Sequence, residues 1–133
     1  MQKLKIRDLH KEFTVHTRGG LKINGYHDIN FELNKGEFLS LYGPSGLGKS
    51  SVLKALYRTY TTTSGEILFN YEDGSSLDIA KASESEILHL RKEYLGYVSQ
   101  FLQVLPRISA VDIVAQPLIE KGESEDSAKD KAK

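Results

Sequence analysis

The 133-residue chain predicts an α/β fold, and three adjacent observations carry that prediction. The short apolar run FLSLY, Phe38 to Tyr42, is bounded by turn residues and suits a strand buried on both faces. It leads without a gap into the Gly-rich segment GPSGLGKS, Gly43 to Ser50. From Ser50 to Tyr60 the residues Val52, Leu53, Leu56, Tyr57 and Tyr60 recur at helical spacing, with no Gly or Pro among them, which predicts a helix. A strand, a tight loop and a helix in that order form a unit from which α/β folds are built.

The remaining elements follow from the same patterns. Leu4 and Ile6 alternate along Lys3 to Leu9, with Leu9 out of step, and predict a first strand. Arg18, Gly19 and Gly20 mark a turn. Ile29, Phe31 and Leu33 alternate and end at Asn34, Lys35, Gly36, which predicts a second strand. Thr61 to Gly65 breaks the helix, and Ile67 to Tyr71 reads as a further strand before the turn Glu72, Asp73, Gly74. Ser83 and Glu86 have capping-box spacing, and Ile87, Leu90 and Tyr94 share one face, so Ser83 to Lys92 predicts a helix. Leu95 to Ser99 predicts a strand. Ser109 with Asp112 repeats the capping signal ahead of a stripe of Val111, Val114, Ala115 and Leu118, with Pro117 a candidate kink. We divide the chain into residues 1–119, which carry these patterned elements, and residues 120–133, a charged stretch read either as a solvated, frayed end or as a helix cut off mid-course.

Composition narrows the function. Lys plus Arg equals Asp plus Glu, 18 against 18, so binding of nucleic acid through bulk charge is not expected. There is no Cys, which excludes a disulfide framework, a thiolate metal site and a thiol nucleophile. No apolar run approaches the roughly 20 residues that span a bilayer. The first residues, MQKLKIRDLHKEF, lack a signal-peptide core. The expected location is cytoplasmic. The four histidines, His10, His16, His27 and His89, are scattered without metal-ligand spacing and read as surface or structural.

The loop carries the chemistry. Gly43-Pro44-Ser45-Gly46-Leu47-Gly48-Lys49-Ser50 fits G-x-x-x-x-G-K-[ST]. A triphosphate presents several anionic oxygens, and backbone N–H groups meet them only if the chain curls around the phosphate. Glycines permit that curl. The helix that follows offers its first, unpaired N–H groups to the anion. Lys49 supplies a point charge between the β- and γ-phosphates, and the Ser50 hydroxyl is a hard oxygen suited to a Mg²⁺ shell. A turn that merely links strand to helix would give Lys49 and Ser50 no task.

With that loop in place, GPSGLGKSS after FLSLY, then TTSGEILF and LGYVSQ, resembles an ABC-type ATP-binding subunit over about Leu4 to Leu118. The resemblance implies a P-loop nucleoside triphosphatase of ABC type with an antiparallel β subdomain. More narrowly, KALYRTYTTTSGEI, GYVSQFLQVLPRISA and VAQPL are similar to the ATP-binding subunit of the phosphonate carbon–phosphorus lyase system. It implies ATP and Mg²⁺ as cofactors. It further implies that Gln100 is the glutamine that helps coordinate Mg²⁺ and the attacking water, an amide being able both to donate and to accept. Otherwise Gln100 is an ordinary polar residue after a strand. Phe13 falls where the family places an aromatic that stacks on adenine, with a core role as its alternative and Tyr26 as a competitor. The residues expected to touch the nucleotide are Phe13, Gly43, Ser45, Gly46, Leu47, Gly48, Lys49, Ser50 and Ser51, the last replacing the Thr usual in the family. Lys49 and Gln100 are expected to act in catalysis, and Ser50 and Gln100 to hold the metal.

Beyond Leu118 the family pattern stops: no LSGGQ-like signature, no apolar run ending in Asp-Glu and no later His follow. The expectation is a fold truncated before those motifs, in which the complete protein is an ATPase and this chain binds nucleotide without turning it over. Expected partners are a second copy or a related ATP-binding subunit, and carbon–phosphorus lyase subunits or a membrane permease. The permease case places the protein at the periphery of the inner membrane. The competing functions are an ATP-binding protein of a membrane transporter and a non-catalytic nucleotide-binding scaffold. A P-loop kinase has no role for GYVSQFL or TSGEI.

Overall fold

A computed structural model describes residues 1–44, 46, 48–99 and 107–133. The chain divides into two units, Met1–Leu88 and His89–Lys133. The first is built on a four-stranded antiparallel sheet. Its strands are β1 (Gln2–Val15), β2 (Leu21–Asn34), β3 (Ser64–Asn70) and β4 (Ser76–Asp78), in the order β2-β1-β3-β4. Helix α1 (Lys49–Leu56) packs on β2. The buried apolar side chains of this unit include Ile6, Leu9, Tyr26, Val52, Ala55, Ile67, Phe69 and Ile79. This is the expected α/β architecture with its antiparallel β subdomain.

Strands β1 and β2 are about twice as long as the alternation suggested, and bulges explain why. Ile6 pairs with Phe31 and Leu9 with Ile29, so β1 carries one extra residue there. The next pair, Lys11 with Tyr26, places the extra residue on β2. Each bulge flips the side-chain alternation while the ladder continues. Leu9 is thus out of step in sequence yet fully buried. Asp8 (φ 46°) and Asp28 (φ 48°) adopt the left-handed conformation that Asp tolerates better than most residues. Asn30 stitches the two together: its Oδ1 accepts from the Asp8 N–H at 2.9 Å and its Nδ2 donates to the Asp28 carbonyl at 3.0 Å.

The first bulge presses on β3 at Gly65. Gly65 has φ 96°, and a Cβ there would lie 2.5 Å from the Asp8 carbonyl oxygen and 2.6 Å from the Leu9 Cα. Both obstacles are backbone. Gly65→Ala is therefore expected to destabilise the chain by about 2–4 kcal/mol, combining left-handed strain with overpacking. Urea unfolding followed by circular dichroism measures it. A loss below about 0.5 kcal/mol, the range of a neutral surface change, would contradict this contact.

Three sequence expectations are corrected. Phe38 to Tyr42 forms no strand: no ladder among the described residues includes it, and Phe38 and Tyr42 are 92% and 96% exposed. An apolar run becomes a central strand only when neighbours pair with its N–H and C=O groups. Leu95 to Ser99 likewise forms no strand, and Val98 is exposed. The helix predicted to Tyr60 stops at Leu56. Arg58 takes φ 61°, the Thr59 N–H donates to the Lys54 carbonyl at 2.8 Å and the Arg58 N–H to the Ala55 carbonyl at 2.9 Å. That pair of bonds is a Schellman motif, here with Arg in the left-handed position that Gly usually takes. No Gly announces it, so the apolar period overran the end.

Helix α2 (Glu84–Glu93) starts with the predicted capping box: the Ser83 N–H and hydroxyl donate to the Glu86 carboxylate at 2.8 and 2.6 Å. In the second unit α3 (Ala110–Glu120) is capped by Ser109, whose Oγ accepts from the Asp112 N–H at 3.2 Å. Pro117 lies inside α3. The charged end forms α4 (Glu125–Lys131), capped by Ser124. Helices α3 and α4 pack together, and Ala115 and Ala128 are both fully buried, small residues that let backbones approach. Lys129 reaches Glu125 at 2.6 Å and Asp112 at 2.9 Å, and these carboxylates hold its ammonium above the usual lysine range.

Candidate functional site

The site begins where backbone meets backbone. Gly48 (φ 83°) caps the start of α1 without any side-chain capping bond, leaving the first N–H groups of the helix to external partners. A Cβ on Gly48 would fall 2.2 Å from the Gly25 carbonyl oxygen of β2. The loop and the strand thus touch through two glycines. The Gly48 carbonyl accepts from the Val52 N–H at 2.9 Å, the first turn of α1. Gly46 has φ 87°, and among the described residues nothing lies within 4 Å of where its Cβ would be.

Lys49 is folded back over its own loop. Its Nζ donates to the Gly43 carbonyl at 2.7 Å and to the Pro44 carbonyl at 2.6 Å. Two carbonyl dipoles therefore hold the ammonium, leaving its third donor for another acceptor. Ser50 is exposed and Ser51 half-buried in the first turn. Ser45, Leu47 and Gln100 lie outside the described residues.

A cavity of about 630 Å³ adjoins the loop. Its wall includes Gly46, Lys49 and Val52, the β2 residues Asn24 to His27 and Ile29, and Ser40 to Tyr42. Tyr26, the competitor for the aromatic role, is 3% exposed. Among the described residues its hydroxyl has no hydrogen-bond partner, and burial pushes the phenol up to about 12. It stays neutral and is a packing residue of this wall.

Phe13 is not part of that wall. It sits near the end of β1 opposite Ile23, half-buried, with the Tyr60 ring 5.8 Å away at 81°. The Lys11 ammonium lies 5.2 Å from its centroid. The structure thus brings Gly43, Gly46, Gly48, Lys49, Ser50 and Ser51 into one loop and first turn, and sets Phe13 on the sheet beside it. Sequence reasoning missed Gly25 and Tyr60. Gly25 lies between the turn at Arg18 to Gly20 and the alternation that starts at Ile29, outside every predicted element, and Tyr60 belongs to the predicted apolar stripe of the helix.

The histidines are less scattered than the sequence suggests. The His10 and His27 rings lie 4.7 Å apart across β1 and β2, and His10 Nε2 is 3.6 Å from Glu12. Among the described residues no group of three His, Asp or Glu side chains converges as a metal site, and no helix is long and apolar enough to cross a membrane.

Residues 26–133 match the family model described as ABC transporter. Two solved structures are similar over nearly the whole chain. One is a dimeric post-hydrolysis state of the ATP-binding cassette MJ0796 bound to ADP and Pi. It has a TM-score of 0.78 and 26% identity, and the match covers 97% of this chain and 53% of that one. The other is a dimeric structure of MJ0796 described as a bacterial ABC transporter cassette, with a TM-score of 0.76 and 27% identity over 96% of this chain and 53% of that one. The chain spans about half the length of these cassettes.

Proposed function

Because the chain belongs to the ABC transporter family, we propose that it is the ATP-binding portion of an ABC-type ATPase. The observation that carries this reading is the Lys49 ammonium held over its loop by the Gly43 and Pro44 carbonyls at the start of α1. The similar cassette MJ0796, described as bound to ADP and Pi, supports it. In this reading the backbone of Gly43 to Ser51 receives the phosphates, Lys49 neutralises β and γ oxygens, and Phe13 stacks on the adenine. Ser50 suits Mg²⁺: its hydroxyl is a hard oxygen, exposed one residue after Lys49. Gln100 is the second proposed metal contact, on the strength of the VSQ motif. The metal supplies charge neutralisation on the phosphates.

We assign residues 1–119 to the nucleotide-binding domain, with residues 120–133 as an attached charged segment. The complete protein would hydrolyse ATP, dimerise as the MJ0796 structures do, and work in the cytoplasm with partners of the phosphonate carbon–phosphorus lyase system. The support for that last assignment is the sequence GYVSQFLQVLPRISA. The family description itself supports the second reading, a transport ATPase bound to a permease. Co-purification with soluble lyase subunits or with a membrane protein separates the two.

Titration calorimetry with ATP and Mg²⁺ tests the binding site. Lys49→Ala removes a charge-assisted hydrogen bond and is expected to weaken ATP by roughly 10- to 100-fold. Unchanged affinity would overturn the site. The chain alone is expected to release phosphate more slowly than about 1 per second, a typical lower bound for enzymes.

A further inference from the structure

We propose that Tyr60 is a positioning residue for the nucleotide base: it fixes the plane of the Phe13 ring on which the base stacks. This rests on the reading of Phe13 given above. Stacking works only at defined ring geometries, and a phenylalanine ring turns broadly about its terminal torsion. A lone half-buried Phe is therefore a poor platform unless its neighbours hold it.

Two neighbours do. On the β2 side the ring lies against the bare backbone of Gly25, where a Cβ would sit 2.6 Å from the Phe13 Cε2. From the other element comes Tyr60, edge-to-face at 5.8 Å and 81°. Tyr60 is itself fixed. Its N–H donates to the Lys54 carbonyl at 3.3 Å, and the Lys54 ammonium lies 3.4 Å from its hydroxyl and 5.2 Å from its ring centroid. Three residues on, the Thr63 N–H donates to the His10 carbonyl at 2.9 Å and the Thr63 Oγ1 accepts from the Glu12 N–H at 3.0 Å. The segment after α1 is thereby stapled to β1 on either side of Lys11. The helix that opens with Lys49 ends at Leu56, and the segment that follows it carries the residue that orients Phe13. The Lys11 ammonium over Phe13 is carried on a flexible stem and can leave the face when a base arrives.

The test compares ATP with inorganic tripolyphosphate, each titrated with Mg²⁺ into the full chain. Tyr60→Leu is expected to lower ATP affinity by roughly 2- to 10-fold, the range of an aromatic pair, and to leave tripolyphosphate affinity unchanged. Tyr60→Phe, which keeps the ring, is expected to restore the ratio. Any unfolded fraction lowers both affinities alike and leaves that ratio intact. Equal losses for both ligands after Tyr60→Leu, or no loss for either, overturn the proposal. Phe13→Ala is the reference. If it leaves the ratio unchanged, the base platform itself fails. If it lowers the ratio while Tyr60→Leu does not, Tyr60 alone is ruled out.

Discussion

Gly48→Ala is expected to abolish ATP binding and to lower the melting temperature by roughly 10 °C or more, at about 3–6 °C per kcal/mol, between the ranges for smaller and larger domains. Two separate costs meet at this position. The first is conformational: φ is 83°, and a left-handed L-residue costs roughly 1–2 kcal/mol. The second is steric, because the new Cβ would sit 2.2 Å from the Gly25 carbonyl oxygen. That oxygen belongs to β2, whose ladder with β1 resists movement, so the loop must move instead. Overpacking of this kind costs typically 1–3 kcal/mol. Any shift of Gly48 also displaces the α1 N-terminus and Lys49, and a binding loop off by about 1 Å loses its preorganised contacts.

Gly46→Ala isolates the two costs. Gly46 has nearly the same φ, 87°, but among the described residues nothing lies within 4 Å of an added Cβ. It therefore carries the conformational cost alone. Thermal unfolding and ATP titration of both variants should show Gly48→Ala as clearly the worse. Equal effects would mean that the Gly25 contact does not hold the loop.

How much of this was readable from the sequence depends on the range of each interaction. The Gly-rich loop, the helix behind it and both serine caps are local patterns, and their residues announce them within four positions. The same holds for the cores of β1 and β2. The bulges at Asp8 and Asp28 were hidden because a bulge looks, in sequence, like the end of an alternation. The Gly48–Gly25 and Phe13–Tyr60 contacts join residues far apart in the chain, so no spacing rule points to them. Arg58 hid the end of α1 because the left-handed position there is held by backbone hydrogen bonds rather than by a glycine.

The failed strand at Phe38 to Tyr42 has a consequence for solution behaviour. Phe38 and Tyr42 are almost wholly exposed and Leu39 is exposed too, while Ser40, Leu41 and Tyr42 border the cavity beside the loop. An exposed apolar segment that no ladder among the described residues includes offers its backbone for pairing with another chain. The 133-residue chain is therefore expected to self-associate at micromolar concentration, the range in which exposed strand edges aggregate. Phe38→Lys combined with Tyr42→Lys places two charges on the exposed segment, and like charges brought together across a strand pair oppose it. Sedimentation velocity across a concentration series should show oligomers for the unmodified chain and a monomer for the double variant. Tyr42 borders the cavity beside the loop, so Phe38→Lys alone is the variant expected to keep its ATP affinity. A concentration-independent monomer for the unmodified chain would show that the segment is shielded in solution, and would overturn the prediction.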